Sequence, residues 1–596
     1  MRSALALAFL AAAPLAAQAP AVSAPVGGIR YEVRFDAATA KERSLAVTMR
    51  FDVKGSGPIL LSLPAWTPGA YEISDFAKKL LRFTPTADGR ALAWDKLDYD
   101  TWRIQPAGAK AVEVTYLVRA DSLDNAQAWS QPDFAFFNGT TAFLYPEGRC
   151  CAFAASVTFR TEAGWQVATG MRATGDGRFG EANYHDLVDM PTFIGRFDID
   201  SQQVAGKWLR LATYPQGVLA GAQRSGTWES LSRMVPPMGK AFGEVPWETY
   251  TVLVVGDTAY PGASGLEHQN SHLDIINTRG FASDFWPSLL AHEIVHAWNV
   301  KRIRPADLFP YRYERPQQTP WLWVSEGITD YYADLVLVRG GVTTTQQFLE
   351  ATTEKIGSVD AVPPVALEDA SLETWIRPVD GTALIYYPKG SLAGLLLDIL
   401  IRDGSDNRRG LDDVMRALYT GAWKKGRGFT ADEWWKSVSQ MAGGRSFAEF
   451  NAKYIDGREP YPWESVLPLA GLRYRADSIR EARIGIQVQP GEDGVRIMGV
   501  QPGSMAADAG IEQGDVLLRL GEVEVKDPTF GGAYRQRYAT ADGTEIPVVV
   551  RRGGREVTLK GTVRTAVRVV RQVVSDQGAT PKAARIREGI LSGRTD

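Results

Sequence analysis

Apolar and polar residues alternate through the first third of the chain. Two runs are the clearest, each with an apolar residue at every second position: Leu45, Val47, Met49, Phe51 and Val53 in the first, and Val112, Val114, Tyr116 and Val118 in the second. A period of two places the apolar side chains of each run on one face of an extended strand. Turn-forming breaks such as Thr67-Pro68-Gly69 separate the runs. The pattern predicts an all-β, sandwich-like domain over residues 27–203.

From residue 204 onward the periodicity becomes mixed and then helical. One buried strand is expected at 251–255, and helix-period apolar runs follow at 392–401, 411–419, 431–441 and 447–454. Asp412 and Asp413 stand near the start of one of these helices, where acidic side chains interact favourably with the helix dipole. We therefore expect a mixed α/β domain at 204–390 and a helical portion at 391–470.

Prolines mark a connector before the last module. Pro460, Pro462 and Pro468 lie within 457–478, and a compact segment with glycine-bounded strand signals follows at 480–564. Residues 565–596 are polar with basic patches, and we expect a frayed extension there, with a short helix as the alternative. The predicted fold class is therefore multidomain α+β.

Composition agrees with several globular domains. The chain has 596 residues, of which 45% are hydrophobic and 23% charged, and this length exceeds what a single hydrophobic core supports. The net charge of -3 provides no electrostatic basis for binding nucleic acid or an anionic membrane.

The first nineteen residues have the pattern of a secretory signal. Arg2 supplies the positive start, residues 4–15 an apolar core, and Ala17-Gln18-Ala19 a small-x-small cleavage site. The apolar core is too short to span a bilayer, as is the later apolar run at 392–401. We expect an exported protein, periplasmic or secreted, that has no membrane span and is cleaved near Ala19.

The sequence contains two cysteines, Cys150 and Cys151, which are adjacent. A bridge between neighbours closes a strained ring, so two unpaired thiols are the expectation and a vicinal disulfide the alternative.

The candidate chemistry centres on residues 291–299, which read A-H-E-I-V-H-A-W-N. In a helix, His292 and His296 lie on one face and can aim their imidazoles at one metal ion. Glu293 is then placed to take a proton from water activated by zinc. Pro287 suits the first turn of such a helix. The alternative is a core helix with two hydrogen-bonded histidines.

A zinc site needs a third ligand, for which the sequence offers two candidates. Glu326 lies in a predicted helix that begins after Pro320, whereas Glu314 lies in a segment without helical periodicity. We favour Glu326. Asp330, one turn later, is placed to accept the second N–H of a zinc histidine. His268 and His272 form a rival metal pair that lacks an acidic base between its members.

Longer motifs identify a resemblance. The segments H-E-I-V-H-A-W-N-V-K-R-I-R-P, W-V-S-E-G-I-T-D-Y-Y and Y-Y-P-K-G resemble the glycyl aminopeptidase family of zinc metallopeptidases, which are gluzincins related to the aminopeptidase N family and, more distantly, to thermolysin. P-A-W-T-P-G-A-Y at 64–71 is similar to the N-terminal domain of that family. The 480–564 module resembles a PDZ domain. The resemblance implies a thermolysin-like catalytic domain between a β-domain and a PDZ domain.

The resemblance also implies residue roles. His292, His296 and Glu326 match the ligands of one Zn²⁺ per chain, Glu293 the general base and Asp330 the carboxylate that supports a zinc histidine. Tyr387 matches the tyrosine that steadies the oxyanion, with Tyr386 as the rival. Glu267 matches the glutamate that binds the substrate amine, and Gly265, Leu266 and His268 are implied to line the substrate site. His268 replaces the asparagine of the related motif, and residues 302–320 form an insert before Glu326.

We therefore expect an aminopeptidase that acts on peptides with a free N-terminus and prefers small residues, glycine and alanine foremost. A zinc endopeptidase, in which Glu267 is structural, is the first alternative. A non-catalytic scaffold that binds peptide tails through the PDZ domain is the second.

Overall fold

The computed structural model describes residues 22–491, 494–526 and 529–595. The predicted signal at 1–19 lies outside these residues. The chain forms two compact units: the first runs to Gly471 and resumes at Gln577, and the second comprises Leu472–Asp576.

The N-terminal domain is built of strands, as the alternation predicts. Its strands are β1 (Val26–Phe35), β2 (Ser44–Val53), β3 (Ile59–Ser62), β4 (Leu80–Ala87), β5 (Arg90–Ala91), β6 (Trp94–Lys96), β7 (Thr101–Ile104), β8 (Ala111–Arg119), β9 (Ala128–Gln131), β10 (Phe134–Phe137), β11 (Tyr145–Pro146), β12 (Ala155–Thr161), β13 (Gln166–Thr169), β14 (Ala173–Gly175), β15 (Arg178–Glu181) and β16 (Thr192–Gly195). Three short helices interrupt them, α1 (Ala37–Lys41), α2 (Gly139–Ala142) and α3 (Tyr184–Val188).

These strands form three sheets. The largest has eight strands in the order β14-β15-β12-β1-β2-β8-β4-β5, and the two others have the orders β13-β16-β10-β9 and β11-β3-β7-β6. The two runs predicted from alternation are neighbours: β2 and β8 pair antiparallel with Leu45 opposite Val118 and Met49 opposite Val114. All four of these side chains are buried. Matching apolar faces therefore set the register of this pair.

The region after the N-terminal domain begins with a five-stranded sheet of order β17-β18-β19-β21-β20. Its strands are β17 (Asp198–Val204), β18 (Lys207–Tyr214), β19 (Thr249–Asp257), β20 (Ala263–Ser264) and β21 (Ser271–Asn277). The strand expected at 251–255 is the buried centre of β19.

Helices make up the rest of this region. They are α4 (Gly221–Phe242), α5 (Phe285–Val295), α6 (Thr329–Arg339), α7 (Thr345–Asp360), α8 (Leu367–Glu373), α9 (Tyr386–Gly404), α10 (Leu411–Gly421), α11 (Ala431–Met441), α12 (Ala448–Phe450) and α13 (Trp463–Val466). One turn of π-helix, Trp323–Ile328, leads directly into α6, and a second, Asn451–Ile455, follows α12. The four helices predicted between 392 and 454 correspond to α9, α10, α11 and the α12 segment. None of the described helices combines the length and apolar character that a membrane span requires.

The second unit contains a six-stranded sheet and a two-stranded ribbon. Its elements are β22 (Leu472–Arg483), β23 (Ile486–Gly491), β24 (Gly494–Val500), α14 (Met505–Ala509), β25 (Val516–Leu520), β26 (Val523–Glu524), α15 (Phe530–Arg537), β27 (Glu545–Arg552), β28 (Arg555–Thr562) and β29 (Arg564–Ser575). The ribbon pairs β22 with β29 over their whole length, from Leu472 opposite Ser575 to Arg483 opposite Arg564.

The expectation of a frayed extension after residue 565 is wrong. That segment supplies β29 and then α16 (Pro581–Ser592), which packs against α6 and α9 in the first unit. Ile586 and Ile590 of α16 are buried, and Arg402 of α9 donates to the carbonyl of Arg594. Two buried isoleucines one turn apart supply the apolar contact that the polar composition hides.

The two cysteines also differ from expectation. The structure joins Cys150 and Cys151 in a disulfide instead of leaving two free thiols.

Candidate functional site

The helix α5 carries the histidine pair. Leu290 and Ile294 are fully buried and fix which side of α5 faces the core, so His292 and His296 share the opposite side. Their Nε2 atoms are 3.0 Å apart. Nδ1 of His296 lies 2.7 Å from the carbonyl oxygen of Asn299, and an N–H donated there leaves the Nε2 lone pair free for a metal.

Glu326 brings a carboxylate to the same point. Its Oε2 lies 3.2 Å from Nε2 of His296 and 3.7 Å from Nε2 of His292. At the zinc–ligand distances of about 2.1 Å found in proteins, the edge of a tetrahedron is about 3.4 Å, so this donor set fits zinc. Burial alone would raise the pKa of Glu326, but the two histidines hold it well below its usual value. The rival Glu314 is exposed and pairs with Arg315.

The N-terminal domain supplies Tyr71, which holds Glu326 and which the sequence does not single out. The hydroxyl of Tyr71 donates to Oε1 of Glu326 at 3.0 Å, leaving Oε2 for the histidines. Tyr71 is buried and has a φ of 47°, in the left-handed region. Its position in the P-A-W-T-P-G-A-Y motif was the available signal.

Residues 302–320 anchor this motif. The indole of Trp66 donates to the carbonyl of Arg312 at 2.8 Å, and the amide of Ala65 donates to that of Tyr313, also at 2.8 Å. The insert therefore holds the N-terminal domain beside the candidate metal ligands.

Two glycines let α9 approach the π-turn that carries Glu326. A Cβ on Gly390 would lie 2.6 Å from the carbonyl oxygen of Trp323, and one on Gly327 would lie 2.5 Å from the Cα of Gly390. Only glycine permits backbones this close.

The two neighbouring tyrosines at the start of α9, Tyr386 and Tyr387, have different surroundings. Tyr386 is buried and hydrogen-bonds Thr374 at 3.0 Å. The ring of Tyr387 lies 5.8 Å from that of His292. Of the two, Tyr387 is the one that lies near a candidate metal ligand.

Asp330 lies near His292 but beyond hydrogen-bond reach. Its Oδ1 is 3.8 Å from Nδ1 of His292, and its Oδ2 is 2.6 Å from the ammonium of Lys355. Lys355 also contacts Asp334 at 2.5 Å. Asp330 therefore acts on His292 through charge in this arrangement, and a lysine not singled out from the sequence holds it in place.

Glu293 is buried beside the histidines, against a glycine. A Cβ on Gly265 would lie 2.1 Å from Oε1 of Glu293, so the carboxylate occupies the space that a side chain at 265 would need. Burial raises the pKa of Glu293 well above its usual value, and the charges of Asp274, Glu267 and Glu326 add to this rise, while His292 opposes it. A buried carboxyl group with a raised pKa takes up a proton more readily than one in water.

Glu267 lies next to Glu293. One carboxylate oxygen from each, together with a ring nitrogen of His296, all lie within 4.8 Å of one another. Gly69 of the N-terminal domain, with a φ of 107°, covers Glu267: a Cβ there would lie 2.6 Å from Oε2 and 2.8 Å from Cδ1 of Leu266. Leu266 is buried.

His268 and His272 each have another side chain as a hydrogen-bond partner. His268 is fully buried, and its Nδ1 lies 3.1 Å from Oδ1 of Asp189. Nδ1 of His272 lies 3.0 Å from the hydroxyl of Tyr250. Neither belongs to a metal-binding group of three or more side chains among the residues that the structure describes, so the structure provides no support for the rival pair.

Family models match three parts of the chain. The model of the peptidase M61 N-terminal domain matches residues 30–196, that of M61 glycyl aminopeptidase matches 286–393, and that of the PDZ domain matches 482–563. No curated protein matches significantly.

One solved structure shares the fold over nearly the whole chain. A crystal structure of an aminopeptidase N family protein from Idiomarina loihiensis superposes with a TM-score of 0.74 at 22% identity and covers 94% of this chain and 100% of its own. The M1 zinc metallopeptidase from Deinococcus radiodurans has a TM-score of 0.46 at 14% identity, covering 74% of this chain and 96% of its own.

Proposed function

From the premise that the chain belongs to the M61 glycyl aminopeptidase family and is a metallopeptidase, we propose that it removes the first residue of peptides with the help of one zinc ion per chain. The observation that carries the proposal is the convergence of His292, His296 and Glu326 with two further buried carboxylates, Glu293 and Glu267, beside them.

His292, His296 and Glu326 would hold the zinc ion. When bound there, zinc supplies Lewis acidity, which polarises a carbonyl and lowers the pKa of water. Glu293 is the general base: it accepts a proton from the attacking water and hands it to the leaving amine. Its raised pKa makes the carboxylate a stronger proton acceptor for the first of these transfers.

Tyr387 would stabilise the developing oxyanion. Burial raises its pKa well above the usual value, and nearby carboxylates, led by Glu326, add to the rise. The phenol therefore keeps its proton and remains a hydrogen-bond donor. A donor aimed at charge that develops during the reaction stabilises the transition state more than the ground state.

Glu267 would bind the α-ammonium of the substrate. The carboxylate is 95% buried, and burial raises its pKa, while Lys301 opposes the rise. A free N-terminus pairs with it, whereas an internal peptide bond leaves it unpaired, which is costly in a buried site. This arrangement favours an aminopeptidase over an endopeptidase.

Gly69 and Leu266 support a preference for small first residues. Gly69 lies directly against both Glu267 and Leu266, so we infer that the space for a side chain next to a bound ammonium is narrow. Glycine and alanine are the residues that such a space admits.

Paired substrates test the exopeptidase claim. We expect hydrolysis of glycyl and alanyl peptides with a free amine and at least about a hundredfold slower cleavage of their N-acetyl forms. Equal cleavage of both forms would establish the endopeptidase alternative. A protein with neither bound metal nor turnover would support the second alternative, a non-catalytic scaffold that binds peptide tails.

Metal analysis and one variant test the mechanism. We expect about one zinc per chain, loss of activity on chelation, and recovery when zinc is returned. Glu293→Gln should retain zinc and lose at least about a hundredfold in kcat, since a neutral amide cannot accept the proton. Unchanged turnover would reject Glu293 as the base.

We further propose that residues 1–19 direct export to the periplasm or beyond the cell, and that the PDZ unit binds peptide tails. The groove between β23 and α15 has a volume of about 1030 Å³ and includes Ile484, Gly485 and Ile486 in its lining. Such a groove accepts an extended peptide by strand addition. Detection of a mature protein that begins after Ala19, and of peptide binding to the full chain, would test these two points.

A further inference from the structure

We propose that Asp189 of the N-terminal domain and Lys301 of the catalytic domain are positioning residues for substrate binding. In this proposal, Asp189 holds the ammonium of Lys301 away from Glu267, so that Glu267 keeps one uncompensated negative charge for the α-ammonium of the substrate. The inference rests on the proposed aminopeptidase function and extends it to two residues that do not themselves touch the substrate.

The distances show which carboxylate Lys301 prefers. Its side chain is fully buried, and Nζ lies 2.9 Å from Oδ1 of Asp189 but 3.7 Å from Oε1 of Glu267. Nζ also lies 3.4 Å from the carbonyl oxygen of Pro68. Lys301 therefore donates to Asp189 and to the backbone, and it interacts with Glu267 only through charge.

Glu267 is left with unmet hydrogen-bonding capacity. Within the described part of the chain, its Oε1 is buried and has no hydrogen-bond partner. A buried carboxylate oxygen without a partner is costly. A ligand that brings N–H donors and a positive charge removes this cost, and the α-ammonium of a peptide brings both.

Asp189 is itself held in place by His268 and by the backbone of Gln269. Its Oδ1 faces Nδ1 of His268 at 3.1 Å, and its Oδ2 accepts the amide of Gln269 at 2.8 Å. Burial alone would raise the pKa of Asp189, but Lys301 and His268 lower it to about 2. Asp189 is therefore ionised at neutral pH and remains the stronger partner of Lys301.

Charge counting predicts a preference for a free α-amine. With Asp189 and Glu267 ionised and Lys301 protonated, the three side chains carry a net charge of −1, because two negative charges meet one positive charge. One substrate ammonium neutralises the cluster. A blocked N-terminus brings no charge, so the cluster stays unbalanced.

The test compares Asp189→Asn with the double variant Asp189→Asn/Lys301→Met. In the single variant, Lys301 loses its ionised partner and turns to Glu267, which then no longer attracts the substrate. We expect KM for a free-amine glycyl peptide to rise about tenfold or more with a smaller change in kcat. The double variant removes the competing cation, and we expect KM to return to within about threefold of the wild-type value.

Inhibition by alaninol, a primary amine without a peptide bond, provides a second measurement that does not depend on turnover. Its inhibition constant should rise in the single variant and recover in the double variant. Zinc content and the melting temperature confirm that each variant is folded and loaded. Asp412→Asn, which breaks the buried ion pair with Arg339 elsewhere in the domain, is the matched control and should lower the melting temperature without raising KM.

Unchanged KM in Asp189→Asn, or a double variant as impaired as the single one, would overturn the proposal. If the single variant does not fold, the double variant alone decides, since it must bind alaninol about as well as the wild type does. Failure of the proposed function gives a different result, because the wild type would then cleave N-acetyl and free peptides equally.

Discussion

At the scale of single residues, the site depends on a glycine, Gly265, which has no Cβ. Gly265 has an ordinary backbone conformation, but its missing Cβ leaves the space in which the carboxylate of Glu293 lies. We expect Gly265→Ala to displace Glu293 and to lower kcat by at least about a hundredfold, as loss of a positioned general base does. Zinc content should be unchanged because the three ligands are not touched.

The matched control for this prediction is Gly357→Ala in α7, where a new Cβ meets no atom within 4 Å. It should keep full activity and gain slight stability. A Gly265→Ala enzyme with normal turnover would show that Glu293 has room elsewhere and would contradict the assigned contact.

The residues predicted from the sequence and those that were not differ in how far apart in the chain their partners lie. His292, Glu293 and His296 are neighbours on one helix, so spacing alone predicts that they meet. The hydrogen bond from Tyr71 to Glu326 joins residues 255 positions apart, and that from Lys301 to Asp189 joins residues 112 apart. No local pattern encodes such contacts, which require the domains to dock in one register.

At the scale of elements, the crossing of α9 over the π-turn positions both Glu326 and Tyr387. We expect Gly390→Ala to force the two backbones apart, because its Cβ would lie 2.6 Å from the Trp323 carbonyl oxygen. Overpacking of this kind costs about 1–3 kcal/mol. The melting temperature, zinc affinity and kcat should all fall together, as measured by thermal unfolding, chelator titration and steady-state kinetics.

The control is Gly226→Ala in α4, where a new Cβ meets no atom within 4 Å. It measures the effect of a glycine-to-alanine change at a helix position that has no close neighbour. A Gly390→Ala enzyme that loses activity but keeps wild-type zinc affinity would show that the crossing positions Tyr387 alone.

Elements with strong periodicity were predictable, and irregular ones were not. Apolar alternation predicted β2 and β8, and helical periodicity predicted α9, α10 and α11. The π-turn at Trp323–Ile328 packs against α9 and has the composition of an ordinary helix, so no local pattern distinguishes it from one. The sequence predicts a frayed segment where α16 forms. The prediction fails because the stability of this helix comes from tertiary contact, which its polar sequence conceals.

At the scale of the whole molecule, the PDZ unit is inserted into the first unit, not appended to it. The chain leaves at Gly471 and returns at Gln577, and Leu472 pairs directly with Ser575. We expect that replacing Leu472–Asp576 with a glycine–serine linker of about five residues will preserve folding, zinc binding and dipeptide hydrolysis. Truncation after Gly471, which also removes α16, should lower the melting temperature. Equal stability of the two forms would show that α16 contributes nothing.

The junction of the N-terminal and catalytic domains should respond to acid through His185. Its Nδ1 lies 2.9 Å from the hydroxyl of Tyr313, and burial, aided by the charge of Arg304, lowers its pKa from 6.5 to about 4, while Asp189 opposes this. The folded state therefore favours the neutral ring. Its contribution is complete above pH 6.5 and is lost as the pH falls toward about 4.

A shift of this size corresponds to about 3 kcal/mol of folding free energy at the acid limit. We expect His185→Asn, which can still bond Tyr313 but does not titrate, to flatten the fall in melting temperature between these two pH values. The same acid response in the variant would assign the effect to other groups.

The hydrogen bond between Tyr71 and Glu326 has a consequence for how activity arises during synthesis. Glu326, the proposed ligand from the second half of the chain, is held by a tyrosine from the first half, so we expect a nascent chain to gain turnover only after both halves have been made and have docked. Two fragments divided at the exposed Gly217 would each be silent, and mixing them would restore hydrolysis by complementation.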